Sequence, residues 1–221
     1  HGTIAGMTSP LRTLVHVVRH GEVDNPERVL YGRMAGYRLS PLGEQMAERV
    51  ADSMAGRDVV HLVASPLERA QQTAAPIGRI LGLEVGTDER LIEAGNTFEG
   101  TTVGADPRQL LRWENLRRLS NPTTPSWGEP YRDIATRMLA AVDAARRAAR
   151  GHEAVLVSHQ LPIETLRRTI EGRRLWHNPR ARQCTLASVT TITYLGDDPV
   201  ELDYAEPAGD LLPGLAPGAG T

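Results

Sequence analysis

Three short apolar runs in this chain each end abruptly in polar residues, and a helix signal follows each of them. The runs cover residues 14–18, 59–64 and 154–158. Strands that alternate with helices in this way pair in parallel, because each helix crosses over one face of the sheet. An alternating run at residues 186–195 predicts a further strand at an edge, with residues 200–204 pairing to it. The chain is therefore predicted to be an α/β three-layer sandwich, with a mostly parallel central sheet flanked by helices.

Two helix starts can be recognised after the first and second runs. Ser40 precedes Pro41, the pattern of an N-cap residue followed by proline at the first helical position. Ser65 and Glu68 have the spacing of a capping box, in which the two side chains satisfy backbone N–H groups of the first turn. This start places Arg69 in the first turn, where a cation opposes the helix dipole. We therefore expect an anion to bind beside Arg69.

Polar residues that follow the three runs are predicted to meet at one place. Arg19 and His20 end the first run, Arg69 follows the second, His159 ends the third, and Glu93 lies on a nearby connection. The carboxyl ends of parallel strands lie on one edge of a sheet, where α/β proteins place their chemistry. Four cationic or nearly cationic groups would repel each other there, and a phosphate dianion would remove the repulsion. The sequence thus predicts a phosphate site.

The same residues suggest a phosphoryl transfer through a phosphohistidine. A neutral His20 can attack phosphorus if a carbonyl or carboxylate holds the proton on its other ring nitrogen. Arg19, Arg69 and a protonated His159 would stabilise charge on the phosphate oxygens. Glu93, with a raised pKa, would protonate the leaving group and then activate water. A strand end followed by an ordinary turn is the alternative interpretation of Arg19-His20-Gly21 taken alone.

Three further residues are predicted to bind substrate. Asn25 and Tyr31 lie on the loop after the first strand, and Gln160 follows His159 directly. A solvated position is an equal alternative for Tyr31. An amphipathic, arginine-rich helix near residues 106–119 either contacts the substrate as a cap or is a solvated helix face.

Composition excludes several kinds of partner and chemistry. The 221 residues carry a formal net charge of −2, so no general field attracts nucleic acid or an anionic membrane. All 25 basic residues are arginines, which excludes Schiff-base and P-loop-lysine chemistry. Cys184 is the sole cysteine, and the histidines show no HExxH pattern. We expect no metal and no cofactor, and a small-molecule phosphate ester as the partner.

The ends of the chain are predicted to lie outside the folded domain. Residues 1–6 precede Met7 and lack the pattern of a signal peptide, which indicates an expression scar. Residues 7–204 are expected to form one domain, with a cap or insertion at residues 94–130. Abundant Pro, Gly and Ala predict a disordered tail over residues 205–221. Because no apolar run approaches the roughly 18 residues of a membrane span, we expect a cytoplasmic protein; a homodimer is left open.

The polar strand ends belong to motifs that resemble, in order and spacing, those of the histidine phosphatase superfamily. The motifs are Arg19-His20-Gly21-Glu22, Ser65-Pro66-Leu67-Glu68-Arg69-Ala70 with Thr73, Glu93 before Phe98-Glu99-Gly100, Gly128-Glu129, and Val157-Ser158-His159. The chain resembles the branch of cofactor-dependent phosphoglycerate mutase, which implies a phosphoglycerate mutase-like sandwich. The resemblance also implies that His20 is phosphorylated and that Glu93 is the proton donor. It assigns the remainder of the phosphate pocket to Arg19, Arg69 and His159.

Departures from the family pattern bear on the reaction. Val23 stands where the family usually has Thr, and Asn25 stands one position earlier than the family's Asn. The chain also lacks the insertion with Arg and Lys by which the mutases hold a second acidic group. The shifted position of Asn25 bears on its role as a phosphate ligand, and the missing insertion favours a phosphatase, predicted to be metal-independent, over a mutase. A phosphoglycerate mutase is the first alternative; a regulatory protein that binds phosphate without turnover is the second, although such a protein would be expected to lack His20 or Glu93.

Overall fold

The computed structural model describes residues 10–96, 99–100, 128–178 and 181–212. In this part of the chain, six strands form a single sheet in the spatial order β3-β2-β4-β1-β5-β6. The strands are β1 (Arg12–Arg19), β2 (Val59–Ala64), β3 (Gly86–Thr87), β4 (Glu153–Ser158), β5 (Val189–Leu195) and β6 (Asp198–Ala205). The first four pair in parallel, whereas β5 is antiparallel to both β1 and β6. The mostly parallel sheet is confirmed, but β5 is an inner strand and β6 is the edge.

Helices cover both faces of the sheet, which confirms the three-layer sandwich. The described helices are α1 (Pro41–Met54), α2 (Glu68–Leu81), α3 (Tyr131–Ala148) and α4 (Gln160–Ile170), with short 3-10 segments at Glu89–Leu91 and Gly209–Leu211. On β4, Val155 and Val157 face a core formed with α1 and α2, and Leu156 faces a second core formed with α3 and α4. Both faces of the strand are therefore buried, as its continuous apolar run requires.

Hydrogen bonds to both neighbours hold the carboxyl end of β1 in place. The His20 N–H donates to the Ser158 carbonyl at 3.1 Å, and the Arg19 N–H donates to the Ser188 carbonyl at 3.0 Å. The turn that follows packs tightly on α1, because a Cβ atom at Gly21 would lie 2.5 Å from the Gly43 carbonyl oxygen. Glycine is required at this position, so the turn after His20 has little freedom to move.

The two predicted helix starts have different outcomes. The Ser40 hydroxyl accepts from the Gly43 N–H at 3.0 Å, which confirms the N-cap of α1. The prediction of a capping box at Ser65 is wrong, because the N-cap residue of α2 is Leu67 and no side chain caps this helix. Ser65 is instead completely buried, and its hydroxyl lies 2.8 Å from His159 Nε2. A contact between distant residues thus replaces the local cap.

The predicted boundary of the tail is also wrong. Residues 206–212 continue beyond β6 as an ordered segment, and Ala208 is 1% exposed within the core beside α1 and α2. Apolar burial of this segment offsets the entropy of ordering it. Residues 1–6, 101–127 and 213–221 lie outside the described residues, so the predictions for the scar, the arginine-rich helix and the last tail residues fall there. No helix of the described chain is long and apolar enough to cross a membrane.

Candidate active site

The surroundings of His20 hold its ring neutral and in one tautomer. Its Nδ1 lies 2.8 Å from the Gly21 carbonyl oxygen. Because a carbonyl can only accept, Nδ1 carries the hydrogen and Nε2 keeps its lone pair. Burial and then the charges of Arg19 and Arg69 lower the pKa of His20 well below its ordinary value. The predicted carbonyl partner is therefore present, and the ring is neutral at physiological pH.

His159 lies beside His20 at the end of the neighbouring strand β4. The two ring centroids are 5.1 Å apart, and His159 is fully buried. Burial and then the charges of His20, Arg69 and Arg19 lower the pKa of His159 well below its ordinary value. The protein alone therefore favours a neutral ring, which corrects the expectation of a protonated His159. The charge of a bound phosphate would act in the opposite direction.

Two arginines are held beside the histidines through backbone carbonyls. Arg19 Nη1 donates to the Cys184 carbonyl at 2.6 Å, and Arg69 Nη2 donates to the Gly32 carbonyl at 2.6 Å. The Arg69 guanidinium also lies 4.7 Å from the centre of the Tyr31 ring, a cation–π contact. Each guanidinium is thereby held in place by a neutral carbonyl group, and this contact does not neutralise its positive charge.

The cluster of histidines and arginines contains buried nitrogen atoms that have no hydrogen-bond partner within the described part of the chain. Arg19 Nε, Arg69 Nε and His159 Nδ1 are buried and lack a partner among the described residues. A buried polar group left in this condition costs about 1–3 kcal/mol, and more when it is charged. An oxyanion with several acceptor oxygens, such as phosphate, would satisfy such donors together.

A cavity of about 480 Å³ opens onto His20. Arg69 and His159 are themselves buried and do not belong to its lining. The lining residues are Arg19, His20, Val29, Leu30, Tyr31, Gly32, Glu93, Ala94, Gly95, Asn96, Gly128, Glu129, Tyr131, Gln160, Leu161 and Arg182. The predicted Arg19, His20, Glu93, Tyr31 and Gln160 thus share one cavity.

Glu93 faces the cavity in an environment that favours its protonated form. Burial raises the pKa of Glu93, although the charges of Arg69 and Arg19 oppose the rise. Its Oε1 accepts from the Ala94 N–H at 2.8 Å, which orients the carboxyl group. Its backbone carbonyl accepts from Arg33 Nε at 2.7 Å. A carboxyl group with a raised pKa is suited to give and take a proton near neutral pH.

Of the other two residues predicted to bind substrate, Gln160 lines the cavity and Asn25 does not. Both amide atoms of Asn25 bind the backbone of Val29, at 2.8 and 2.9 Å, and Asn25 is not part of the cavity lining. Asn25 therefore stabilises the loop on which Tyr31 lies. Gln160 does line the cavity, and its Nε2 donates to the Cys184 carbonyl at 3.3 Å.

The structure adds residues for which the sequence analysis predicted no role. Glu129 accepts from Arg137 at 2.8 and 3.0 Å and from Arg33 Nη2 at 2.8 Å, so this carboxylate joins α3 to the arginine that holds the Glu93 carbonyl. The signal was the Gly-Glu pair before α3. Arg182 lines the cavity from the segment between α4 and β5, where no motif indicated it.

Two histidines at the ends of the parallel strands β1 and β4 thus lie beside Arg19 and beside Arg69 of α2, an arrangement suited to binding a phosphate group. The chain belongs to the histidine phosphatase superfamily (branch 1), whose family model matches residues 15–206. It is 56% identical over 205 residues to an uncharacterized protein of Mycobacterium tuberculosis strain H37Rv, covering 90% of this chain and 98% of the relative.

Other relatives have names that mention a reaction. A probable phosphoglycerate mutase of Escherichia coli is 31% identical over 185 residues, which cover 79% of this chain and 83% of the relative. Among solved structures, a mycobacterial glucosyl-3-phosphoglycerate phosphatase matches with a TM-score of 0.70 and 25% identity, covering 87% of this chain and 97% of that one. The names of these two proteins thus mention a mutase and a phosphatase.

Proposed function

We propose that the protein is a metal-independent phosphatase that hydrolyses a small phosphomonoester through a phosphohistidine at His20. The observation that carries this proposal is the cluster of two imidazoles 5.1 Å apart beside two arginines with unpartnered nitrogens. An apolar core would not tolerate such a cluster, because the desolvated polar groups have no compensating partners. A phosphoryl group supplies those partners and the opposite charge.

The first step transfers the phosphoryl group to the enzyme. The lone pair of His20 Nε2 attacks phosphorus while the bond from phosphorus to the ester oxygen breaks. Glu93 donates its proton to that oxygen, so the leaving group departs as a neutral alcohol. Arg19 and Arg69 stabilise charge on the phosphoryl oxygens.

The second step returns the enzyme to its starting form. The Glu93 carboxylate accepts a proton from a water molecule, whose oxygen attacks the phosphohistidine. The bond between Nε2 and phosphorus breaks, and inorganic phosphate leaves. The hydrogen bond from Nδ1 of His20 to the Gly21 carbonyl, at 2.8 Å in this structure, keeps the ring in one orientation through both steps.

A phosphoglycerate mutase is the second candidate, supported by the Escherichia coli relative at 31% identity. Such an enzyme would return the phosphoryl group to the substrate and need a bisphosphorylated primer. A phosphate-binding protein without turnover is disfavoured, because His20 and Glu93 are both present and both line the cavity.

A panel of phosphate esters tests the proposal and separates it from the mutase. We expect release of inorganic phosphate that is unchanged by EDTA. Turnover that EDTA abolishes would contradict the metal-independent mechanism. In a parallel NMR experiment, 3-phosphoglycerate is followed with and without a bisphosphoglycerate primer; primer-dependent isomerisation faster than phosphate release would identify a mutase.

Glu93→Gln is expected to slow hydrolysis of an alkyl phosphate by about 10²–10³-fold, because it removes the proton that the alkoxide needs. The nitrophenolate of p-nitrophenyl phosphate needs no proton, so its first release should persist as a burst. Water attack still lacks a base, and the phosphoenzyme should accumulate. Rapid-quench measurement of the burst checks both expectations.

The pH dependence gives a second readout of Glu93. Only the protonated carboxyl group can act as the acid, so kcat/KM for the alkyl ester should fall as pH rises through the raised pKa of Glu93. This alkaline limb should be absent in Glu93→Gln, whose profile reports only the ionisations of His20 and of the substrate. Glu89→Gln, an exposed carboxylate of the preceding 3-10 segment, is the matched control and should behave as the wild type. An alkaline limb that survives in Glu93→Gln would remove Glu93 from the mechanism.

A further inference from the structure

Arg182 brings a third guanidinium into the cavity, apart from the two assigned to the phosphoryl group. It lies between α4 and β5, is half-buried, and lines the cavity together with His20 and Glu93. Its charge is close enough to Glu93 to act on the pKa of that carboxyl group. Arg182 therefore lies near the position of a leaving group that Glu93 protonates.

Two neutral side chains hold Arg182 in place. Its Nε donates to His177 Nε2 at 2.9 Å, and its Nη1 donates to Gln160 Oε1 at 3.3 Å. His177 is 7% exposed, and its Nδ1 lies 2.6 Å from the Leu175 carbonyl oxygen. Nδ1 thus carries the hydrogen, and Nε2 is free to accept from Arg182. The guanidinium is oriented without an opposing charge.

The neighbouring carboxylates do not neutralise Arg182. Among the described residues, no carboxylate forms an ion pair with it. Glu129, which shares the cavity, is already bound by two other arginines. Burial raises the pKa of Glu93 and so reduces its negative charge. The cavity therefore contains a partly desolvated cation that forms no ion pair with the part of the chain that the structure describes.

The balance of charge indicates what kind of group would bind there. A phosphate dianion matches the two positive charges of Arg19 and Arg69, and the charge of Arg182 remains. A single additional negative charge on the leaving group would match it. A carboxylate suits the planar guanidinium, because both of its oxygens can accept parallel hydrogen bonds. The volume of about 480 Å³ and the walls formed by Tyr31 and Tyr131 suit a small leaving group.

We propose that Arg182 binds a carboxylate of the leaving group, so that the substrates are phosphate monoesters of small hydroxy acids. This inference rests on the proposed phosphatase function and adds a substrate class to it. A neutral leaving group would leave the guanidinium without a group of opposite charge, and a charged side chain left in this state discriminates strongly between related substrates. Arg182 is thus a specificity-determining residue.

Two matched pairs of substrates test this proposal on the wild-type enzyme. 3-Phosphoglycerate and glycerol 3-phosphate differ by a carboxylate in place of a hydroxymethyl group, and phosphoserine and phosphoethanolamine differ by a carboxylate in place of hydrogen. We expect kcat/KM to favour the carboxylate member of each pair by about 10- to 100-fold. Equal values within a pair would overturn the inference while leaving the phosphatase function intact. If the enzyme hydrolysed none of the esters in the panel, the proposed function itself would be overturned.

Arg182→Gln supplies the second arm. We expect kcat/KM for 3-phosphoglycerate to fall about 10- to 100-fold, mainly through KM, while glycerol 3-phosphate loses a few fold at most. Arg182→Lys should restore part of the preference, because it retains the charge without the planar fork. Arg79→Gln, an exposed arginine of α2, is the control and should keep the wild-type ratio.

Two results would contradict the role of Arg182. An equal loss for both members of a pair would show that Arg182 acts on the phosphoryl group or on the fold. A preference for fructose 1,6-bisphosphate over fructose 6-phosphate that Arg182→Gln abolishes, without a preference for carboxylates, would assign the residue to a second phosphate.

Discussion

Replacing His20 by alanine is expected to reduce the hydrolysis of every phosphate monoester by at least about 10⁴-fold. In the proposed mechanism, Nε2 of His20 is the atom that receives the phosphoryl group, and alanine has no nucleophile. Arg19, Arg69 and His159 remain, so inorganic phosphate should still bind as a competitive ligand. Initial rates with several esters, together with phosphate binding measured by calorimetry, check both parts.

A labelling experiment makes the role of His20 specific. Wild-type enzyme quenched during turnover of a ³²P ester should carry a label that is lost in acid, as a phosphorus–nitrogen bond requires. The His20→Ala variant should carry none. His152→Ala, at an exposed position before β4, is the control and should be labelled normally. An unlabelled wild type, or an active His20→Ala variant, would refute the phosphohistidine.

Arg69→Gln should lower kcat/KM by about 10³-fold, the effect typical of removing a guanidinium that stabilises a transferring phosphoryl group. Arg69 is 1% exposed, and its Nε lacks a partner among the described residues. Its charge is therefore little screened by water and acts strongly on nearby groups. Steady-state kinetics with one ester over a wide range of concentration measure the loss.

The pH profile distinguishes this electrostatic role from a structural one. The charge of Arg69 is one cause of the lowered pKa of His20, so the glutamine variant should have a higher pKa there. The acidic limb of kcat/KM, which reports loss of the neutral nucleophile, should consequently move to higher pH. NMR titration of the His20 ring checks the same shift without catalysis.

Arg79 provides the matched control for Arg69, because both residues belong to α2. Arg79 is exposed and forms an ion pair with Glu48 at 2.6 Å. It lies in the last turn of α2, at the opposite end of the helix from Arg69. Arg79→Gln should retain full activity and the wild-type pH profile. If Arg69→Gln lost activity without any movement of the acidic limb, its effect would be structural and the assignment would be wrong.

Local patterns were sufficient to predict the framework that carries the site. Continuous apolar runs identified β1, β2 and β4, since inner strands of a parallel sheet are covered on both faces and therefore have few polar side chains. Ser40 and Pro41 identified the start of α1, because an N-cap acts on N–H groups two or three residues away. Information of this kind lies within a few positions and is visible in the sequence.

The candidate site was predictable where a residue follows a strand directly. Arg19, His20 and His159 lie at the ends of β1 and β4, which pair in parallel, so the strand register alone brings the two histidines together. Ser65 was misassigned, because its hydroxyl can serve a local cap or a distant side chain. In the structure the hydroxyl forms its 2.8 Å hydrogen bond with His159, 94 positions away.

The sequence by itself determined the class of fold and the positions of His20, His159 and Arg19 at one edge of the sheet, because these follow from short-range patterning and from the common edge of parallel strands. Only the tertiary structure decided which hydrogen-bond donors of the site lack a partner among the described residues. It also decided that Asn25 binds the backbone of its own loop and that Arg182 lines the cavity. Those outcomes depend on the packing of segments far apart in the chain, such as the Cys184 carbonyl that holds Arg19 from 165 positions away. Such contacts arise from the summed geometry of the whole fold, and no local pattern encodes them.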